Sequence, residues 1–426
     1  MLGRFLWLAT GLFALLSATA AFAANPMDAY ESMAQPEFTR PRAKTQAMRD
    51  LQPKLDALRQ QLRDRQRNGD DLACARQILV EAHWLMNYTN RERDLRHRIK
   101  DLKAQLAQPD RELPNQRDPQ DDGFGRCHKE WFLRVDDSFH RLSDAIEREG
   151  RPRLSSLKLL ERINTPEKLT AYFEGLLISD VAREGVDRRK ELNVMVTAIS
   201  QFLFLPKFQD YARRAYASGR LHPGMADALK RFMDERWQDP ETGFWGAIYR
   251  DRDRLVRTAD LSITFHIVSY REGEVPLWER IVSTTFDIRE RPYPYGWEDQ
   301  GRQNTHHSYD VACLLRMGWP TMTDLQRARA AAELSIMLSR VLRVSLRRDG
   351  SFDDRPFDSV AHAYYFGVSF LDEVGYFRPS RRFWTDFPFQ DGETIRARIE
   401  ARMQRLNLDD PFLRAAWRKI VLKDKE

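Results

Sequence analysis

Gly243-Phe244-Trp245 opens a pattern that returns as Gly296-Trp297 and again as Gly350-Ser351-Phe352, at intervals of 53 and 54 residues. A largely apolar stretch follows each within 20 residues. A period near 50 is too long for one helix and suits a helical hairpin with its loops. Beyond residue 240 the spacing predicts one repeated plan: an aromatic-glycine loop, an apolar inner helix, then a more amphipathic outer helix. Inner helices are expected at 260–270, 307–317 and 359–372, and outer ones at 277–289, 323–346 and 392–406. Upstream, apolar residues recurring every three to four positions predict helices at 131–149, 165–184, 187–204, 206–218 and 222–237. Period-two alternation is scarce. The fold class is therefore read as all-α. Hairpins of this length close most naturally into an α/α toroid, an incomplete barrel whose central cleft is lined by inner-helix starts and their loops.

The N-terminal part is organised differently. Leu51, Leu55, Leu58 and Leu62 mark one amphipathic helix. Asn68-Gly69-Asp70-Asp71 ends it and caps a second, read as running through Val80 and Trp84 to Leu102 and Leu106. Residues 108–126, rich in prolines, glycines and polar turn formers, read as a linker. Arg4, the apolar run Phe5 to Leu16 and the small-x-small triplet Ala21-Phe22-Ala23 have the layout of a cleavable secretory signal. The run is short for a span of about 20 residues, so no membrane insertion is expected after cleavage. The expected organisation is a signal peptide at 1–24, an N-terminal helical hairpin and linker at 25–126, and the toroid at 127–426. The expected location is periplasmic or secreted.

A formal charge of +6 is modest for so charged a chain and is compatible with a polyanionic substrate. The absence of a concentrated basic tract argues against a nucleic-acid partner. Of three cysteines, Cys313 lies in Val311-Ala312-Cys313-Leu314-Leu315 and reads as a buried thiol. Cys74 and Cys127 are suited to a disulfide if the fold brings them together. No sulfur-based zinc spacing occurs, and no cofactor is implied.

Two loop-to-helix junctions concentrate reactive side chains: Arg302-Gln303-Asn304-Thr305-His306-His307-Ser308-Tyr309, and Asp349-Gly350-Ser351-Phe352 leading through Arg355 to Ala361-His362-Ala363-Tyr364-Tyr365. Together they offer imidazole, amide, guanidinium and phenol, the groups that pull a proton from carbon beside a carboxylate. His306, His307 and Asp310 are competent metal ligands, but no third or fourth ligand stands at helical spacing. Trp245, Tyr249 and Trp297, with Tyr293, Tyr295 and Phe352, serve either as core or as platforms for sugar rings. Arg250, Arg302 and Arg355 alternate with them, and guanidinium forks pair bidentately with carboxylates.

Arg302 to Tyr309, with its His-Ser-Tyr core, resembles the Asn-Asn-His-Ser-Tyr segment of alginate lyases with an α/α-toroid fold. Asp349 to Phe370 resembles their later segment, where a Gly-Phe loop and arginines lead into Ala-x-Ala-Tyr. The resemblance covers about 70 residues and implies a polysaccharide lyase of the alginate or glucuronan type acting on an acidic polysaccharide. It matches His307 to the catalytic histidine and Tyr364 to the catalytic tyrosine, and puts Arg355 near the substrate arginine. The family's asparagine directly precedes its histidine. Here that position is His306, so carboxylate neutralisation falls to Asn304, His306 or the distant Asn193. Arg302, Trp245, Trp297, Arg250, Tyr249 and Tyr309 are expected to bind substrate. A rival reading is an inverting glycoside hydrolase using Glu298 or Asp299 with Asp353 or Asp354, whose carboxyls would stand roughly 6.5–9.5 Å apart. Another is a non-catalytic periplasmic glycan-binding protein.

Overall fold

The structure, a computed structural model, describes residues 31–33, 44–298, 304–357 and 359–421. The signal-peptide reading and Arg302 fall outside them, as does Asp299. Helices dominate the fold. The N-terminal ones are α1 (Gln46–Arg49), α2 (Gln52–Arg67), α3 (Ala73–Tyr88) and α4 (Glu92–Ala107). Next come α5 (Trp131–Glu149), α6 (Pro166–Leu177), α7 (Val181–Glu184), α8 (Arg189–Phe204), α9 (Gln209–Ala217) and α10 (Met225–Arg231). The repeats supply α11 (Leu261–Tyr270), α12 (Trp278–Asp287), α13 (Thr305–Gly318), α14 (Asp324–Arg340), α15 (Val360–Glu373) and α16 (Gly392–Met403), and α17 (Pro411–Val421) closes the chain.

Six of these pack side by side in chain order: α5 on α8, α8 on α11, then α13, α15 and α17, which returns to α5. A second layer lies outside them. There α6 and α10 pack on α8, α12 and α14 on α13, and α16 on α17. The N-terminal helices attach through α3 to α8 and through α2 to α15. Cys74 on α3 and Cys127 form a disulfide that ties the N-terminal helices to the segment leading into α5.

The three repeat helices of the inner layer start alike. Asp260 accepts from the backbone N–H of Ile263 at 3.0 Å, Asn304 from His306 and His307 at 3.0 and 3.1 Å, and Ser359 from His362 at 3.2 Å. Each cap satisfies amides that a helix start leaves unpaired. The repeated glycines also have one job. Gly243 and Gly350 have φ of +71° and +83°. A Cβ there would lie 2.9 Å from the Ile281 nitrogen of α12 and 2.3 Å from the Arg398 oxygen of α16. Only glycine lets these loops lie flat on the outer helix. The aromatic that follows then enters the core: Trp245 is fully buried with its ring nitrogen on the Met233 carbonyl at 2.9 Å, and Phe352 packs on Gly367 of α15.

Three expectations need correction. The second N-terminal helix is two, α3 and α4. The Tyr88 carbonyl accepts from Asp187 at 2.7 Å and Asn90 donates to the Gly185 carbonyl at 2.8 Å, which pulls Thr89-Asn90 into extended pairing. The helix expected at 165–184 stops at Leu177, where Ile178–Ser179 becomes a strand. That strand, β2, joins a small sheet with β1 (Glu31–Met33), β3 (Ile248–Asp251) and β4 (Arg254–Thr258) in the order β1-β4-β3-β2. β3 and β4 form an antiparallel hairpin, and β1 and β2 flank it in parallel. In β2, Ile178 and Ser179 pair with Ile248 and Tyr249. Finally, the expected helix at 206–218 begins only at Gln209, after a tighter turn over Pro206–Phe208.

Candidate functional site

The six packed helices enclose a cavity of about 490 Å³, within the range of small-molecule sites. Each presents polar or aromatic groups to it: Asp136 and His140 from α5, Lys190, Asn193 and Thr197 from α8, and Ser262, His266 and Tyr270 from α11. His306 and Tyr309 come from α13, His362, Tyr365 and Phe366 from α15, and Phe412 from α17. The spacings of three and four along α8, α11 and α15 are those of one helix face.

His306 is the best-organised reactive group. Its ring stacks on Phe366 with centroids 3.9 Å apart, and its Nε2 lies 3.2 Å from the Tyr293 hydroxyl. That hydroxyl donates its one proton to Asp310 Oδ2 at 3.1 Å. The Tyr293 oxygen must then accept from His306 Nε2–H, which leaves Nδ1 unprotonated and without a hydrogen bond among the described residues. Burial, helped by the neighbouring imidazoles, holds His306 well below the usual histidine range. It is a neutral imidazole at pH 7, with the buried Asp310 carboxyl 3.7 Å from its Nε2. Burial also pushes Asp310 well above the usual carboxyl range, with the Tyr293 hydrogen bond opposing it. An imidazole oriented by a second group that a carboxyl holds in turn has the geometry of a general base.

His307, one residue on, faces away from the cavity. Its ring stacks on Tyr293 at 3.7 Å, its Nδ1 meets the Trp297 carbonyl at 3.2 Å, and its Nε2 meets the Asn304 amide at 3.3 Å. Both nitrogens are occupied, and burial lowers its pKa to about 3. Asn304 spends its carbonyl on two backbone amides and its amide on His307. His307 and Asn304 are thus locked into the start of α13. The same one-residue offset separates the tyrosines of α15. Tyr364 is buried in the outer wall, edge-on to Phe352 at 5.5 Å. Tyr365 lines the cavity, 5.1 Å from Phe366. Successive helical residues point about 100° apart, so neighbours in sequence occupy different layers.

Burial keeps the cavity phenols protonated. Tyr270 and Tyr309 are pushed well above the ordinary tyrosine value, and Tyr365 up to about 12 with a contribution from Asp310. Tyr365 has the lowest-lying proton of the three. His266, stacked on Tyr270 and 3.2 Å from its hydroxyl, is lowered to about 3 by burial and the nearby Lys190. Asn193 contacts Ser262 Oγ at 3.1 Å through Nδ2, while its Oδ1 is buried without a partner. Rotating that amide lets Ser262 donate to Oδ1 and turns Nδ2 inward as a donor. Lys190, one turn earlier, makes no ion pair among the described residues.

The other sequence-predicted groups are placed elsewhere. Trp245, Trp297 and Tyr249 are fully buried, and Tyr249 bonds Asp187 and Tyr295 at 3.1 Å each. Each such ring removes about 150–250 Å² from water, worth roughly 4–6 kcal/mol at about 25 cal/mol per Å². Stacking on a sugar does not recover that, so these rings are core. Arg250 is exposed beside Asp180 at 3.6 Å. Arg355 is exposed and clamped on Asp353 at 2.7 and 2.8 Å, next to the cavity residues Pro356 and Phe357. Asp354 is held by Arg67 and Asp353 by Arg355 and Arg347, so neither of these two aspartates of the hydrolase reading is free. Cys313 is buried as expected.

Asn193, named as a distant alternative, lines the cavity, whereas Lys190, His266, Tyr270 and Tyr365 line it without having been singled out. Their signal was polar residues at helical spacing on otherwise apolar helices. Among the described residues no group of three or more His, Cys, Asp or Glu could hold a metal ion, and no helix is long and apolar enough to cross a membrane. Comparison with family models, curated proteins and solved structures returned no match.

Proposed function

We propose that the helical ring is an α/α toroid and that the chain is a polysaccharide lyase, cleaving a 4-linked polyuronate such as glucuronan or mannuronate-rich alginate by β-elimination. Residues 127–426 are its catalytic domain, 25–126 a helical annex, and 1–24 a signal for export. The observation that carries the reading is His306, a neutral imidazole oriented by Tyr293 and Asp310, lining a cavity that Tyr365 also lines.

The proton at C5 of a uronate leaves only if the charge developing on the adjacent carboxylate is stabilised. Lys190 and the inward-turned Asn193 amide supply that stabilisation. His306 Nδ1 takes the C5 proton, the electron pair forms the C4=C5 double bond, and the C4–O4 bond breaks. Tyr365, protonated at neutral pH, delivers its proton to O4 and is reprotonated from solvent. A phenol pushed up to about 12 is protonated at neutral pH and so enters the reaction as a proton donor. This assigns the histidine as base and the tyrosine as acid.

A hydrolytic second reading rests on α5. Burial raises the Asp136 carboxyl, while His128 overcomes burial to hold the adjacent Asp137 down to about 2. Carboxyls driven apart in this way mark acid and base roles. Incubation with a panel of polyuronates separates the two. Elimination creates a conjugated, ultraviolet-absorbing product, whereas hydrolysis releases reducing ends without that absorbance.

A further inference from the structure

A second depression, of about 520 Å³, lies where α3, α5 and α17 meet the turns at 115–124 and 407–410. Arg76, Asp144 and Pro411 line both it and the central cavity, so one wall serves the two spaces. Arg76 in that wall is 6 % exposed. Its nearest carboxylate oxygen, on Asp410, is 3.5 Å away, and its Nε has no hydrogen-bond partner. Arg141 makes no ion pair among the described residues, and its one hydrogen bond is a long 3.5 Å contact to the Pro114 carbonyl. Burial and the neighbouring Arg76 charge disfavour its cation, which nearby acids only partly offset. Asp144 is shared by Arg148, Arg414 and Arg418 at 3.2, 3.1 and 3.2 Å. Arg418 also pairs with Glu147, and Asp144 is committed to guanidiniums other than Arg141. Of the other lining acids, Asp70 is held by Arg65 at 2.5 Å, Asp71 accepts from the first turn of α3 and Asp410 faces Arg76, while Glu149 and Asp409 make no ion pair with Arg141 among the described residues.

A half-buried guanidinium without a carboxylate is costly unless an anion completes it. We infer that this depression is a second anion-binding site, adjoining the central cavity across their shared wall, that takes a carboxylate of an acidic oligosaccharide. The identity of the anion rests on the polyuronate reading. Arg141 is its principal ligand, offering the planar fork that matches a carboxylate bidentately. Arg76, which lines both spaces, adds a second guanidinium to the shared wall. A polymer bound this way spans more residues than the reacting pair, so its affinity rises with length.

The test is calorimetric titration of the full chain with glucuronate and mannuronate tetrasaccharides, and with a neutral glucose tetrasaccharide as control. Arg141→Gln removes an unpaired charge and keeps the apolar stem with a polar head, so the fold is expected to stand. It should weaken binding of the acidic tetramer at least about tenfold, the scale of a charge-assisted hydrogen bond, and flatten its salt dependence. The neutral tetramer should show no such difference. Unchanged tetramer affinity in Arg141→Gln overturns the inference even if the wild-type chain eliminates uronates. Arg141-dependent binding without elimination on any polyuronate upholds the site and removes the lyase reading. Absence of binding to either acidic tetramer overturns both.

Discussion

Replacing Asn304 with alanine separates a structural role from a chemical one. Its carbonyl caps α13 by accepting from His306 and His307, and its amide donates to His307 Nε2 at 3.3 Å. Loss of an N-cap of this type costs about 1 kcal/mol. The imidazole nitrogen left buried without a donor adds roughly 1–3 kcal/mol. Asn304→Ala should therefore lower unfolding stability by about 2–4 kcal/mol. Urea titration followed by tryptophan fluorescence reads this as a lower midpoint at unchanged slope. Asn304→Asp keeps the cap and removes the donor, so it should show only the second loss at neutral pH. That loss should shrink in acid, because a protonated His307 donates to the new carboxylate. A stability change below about 0.5 kcal/mol in Asn304→Ala, within the range of an unremarkable surface substitution, would refute this role.

Tyr365→Phe should slow elimination at least about 100-fold with substrate affinity retained. Tyr364→Phe should leave the rate nearly unchanged and cost on the order of 1 kcal/mol in stability; the opposite ordering of rates would return the tyrosine role to Tyr364. Acid should destabilise the fold through His307. Its folded pKa, about 3, lies below the unfolded value near 6.5, so the unfolded chain takes up the proton first. Stability is complete above pH ~6.5 and falls toward pH ~3 by about 1.4 kcal/mol per unit from this residue, a slope that His307→Gln should reduce. Opening the Cys74–Cys127 disulfide, which spans 53 residues, should lower the unfolding free energy by about 4 kcal/mol, measured by denaturation with and without reductant.

Much of the helical plan was legible in the sequence because apolar spacing reports which face of a helix is buried. α5 runs over the expected 131–149, and α11, α13 and α15 start within two residues of their expected positions. The repeated glycines were legible as well, since a backbone packed flat on a helix admits no other residue. The depth of each aromatic was hidden. Gly-Phe-Trp reads the same whether the tryptophan meets a sugar or enters the core, and only the neighbouring elements decide it. The rotation of α13 and α15 was hidden for the same reason. His306 and His307, or Tyr364 and Tyr365, are equivalent in a motif and differ by about 100° on a helix. Tyr293, which orients His306, comes from a loop 13 residues earlier and carried no periodic signal.

The most direct measurement is the initial rate of ultraviolet absorbance on a polyuronate panel for the wild-type chain and His306→Gln at equal folded concentration. Wild type should generate the unsaturated product from at least one polymer. His306→Gln should lose at least about 100-fold in rate while binding that polymer with unchanged affinity. Reducing ends released without absorbance, or elimination by His306→Gln at the wild-type rate, would contradict the assignment of His306 as the base of a lyase.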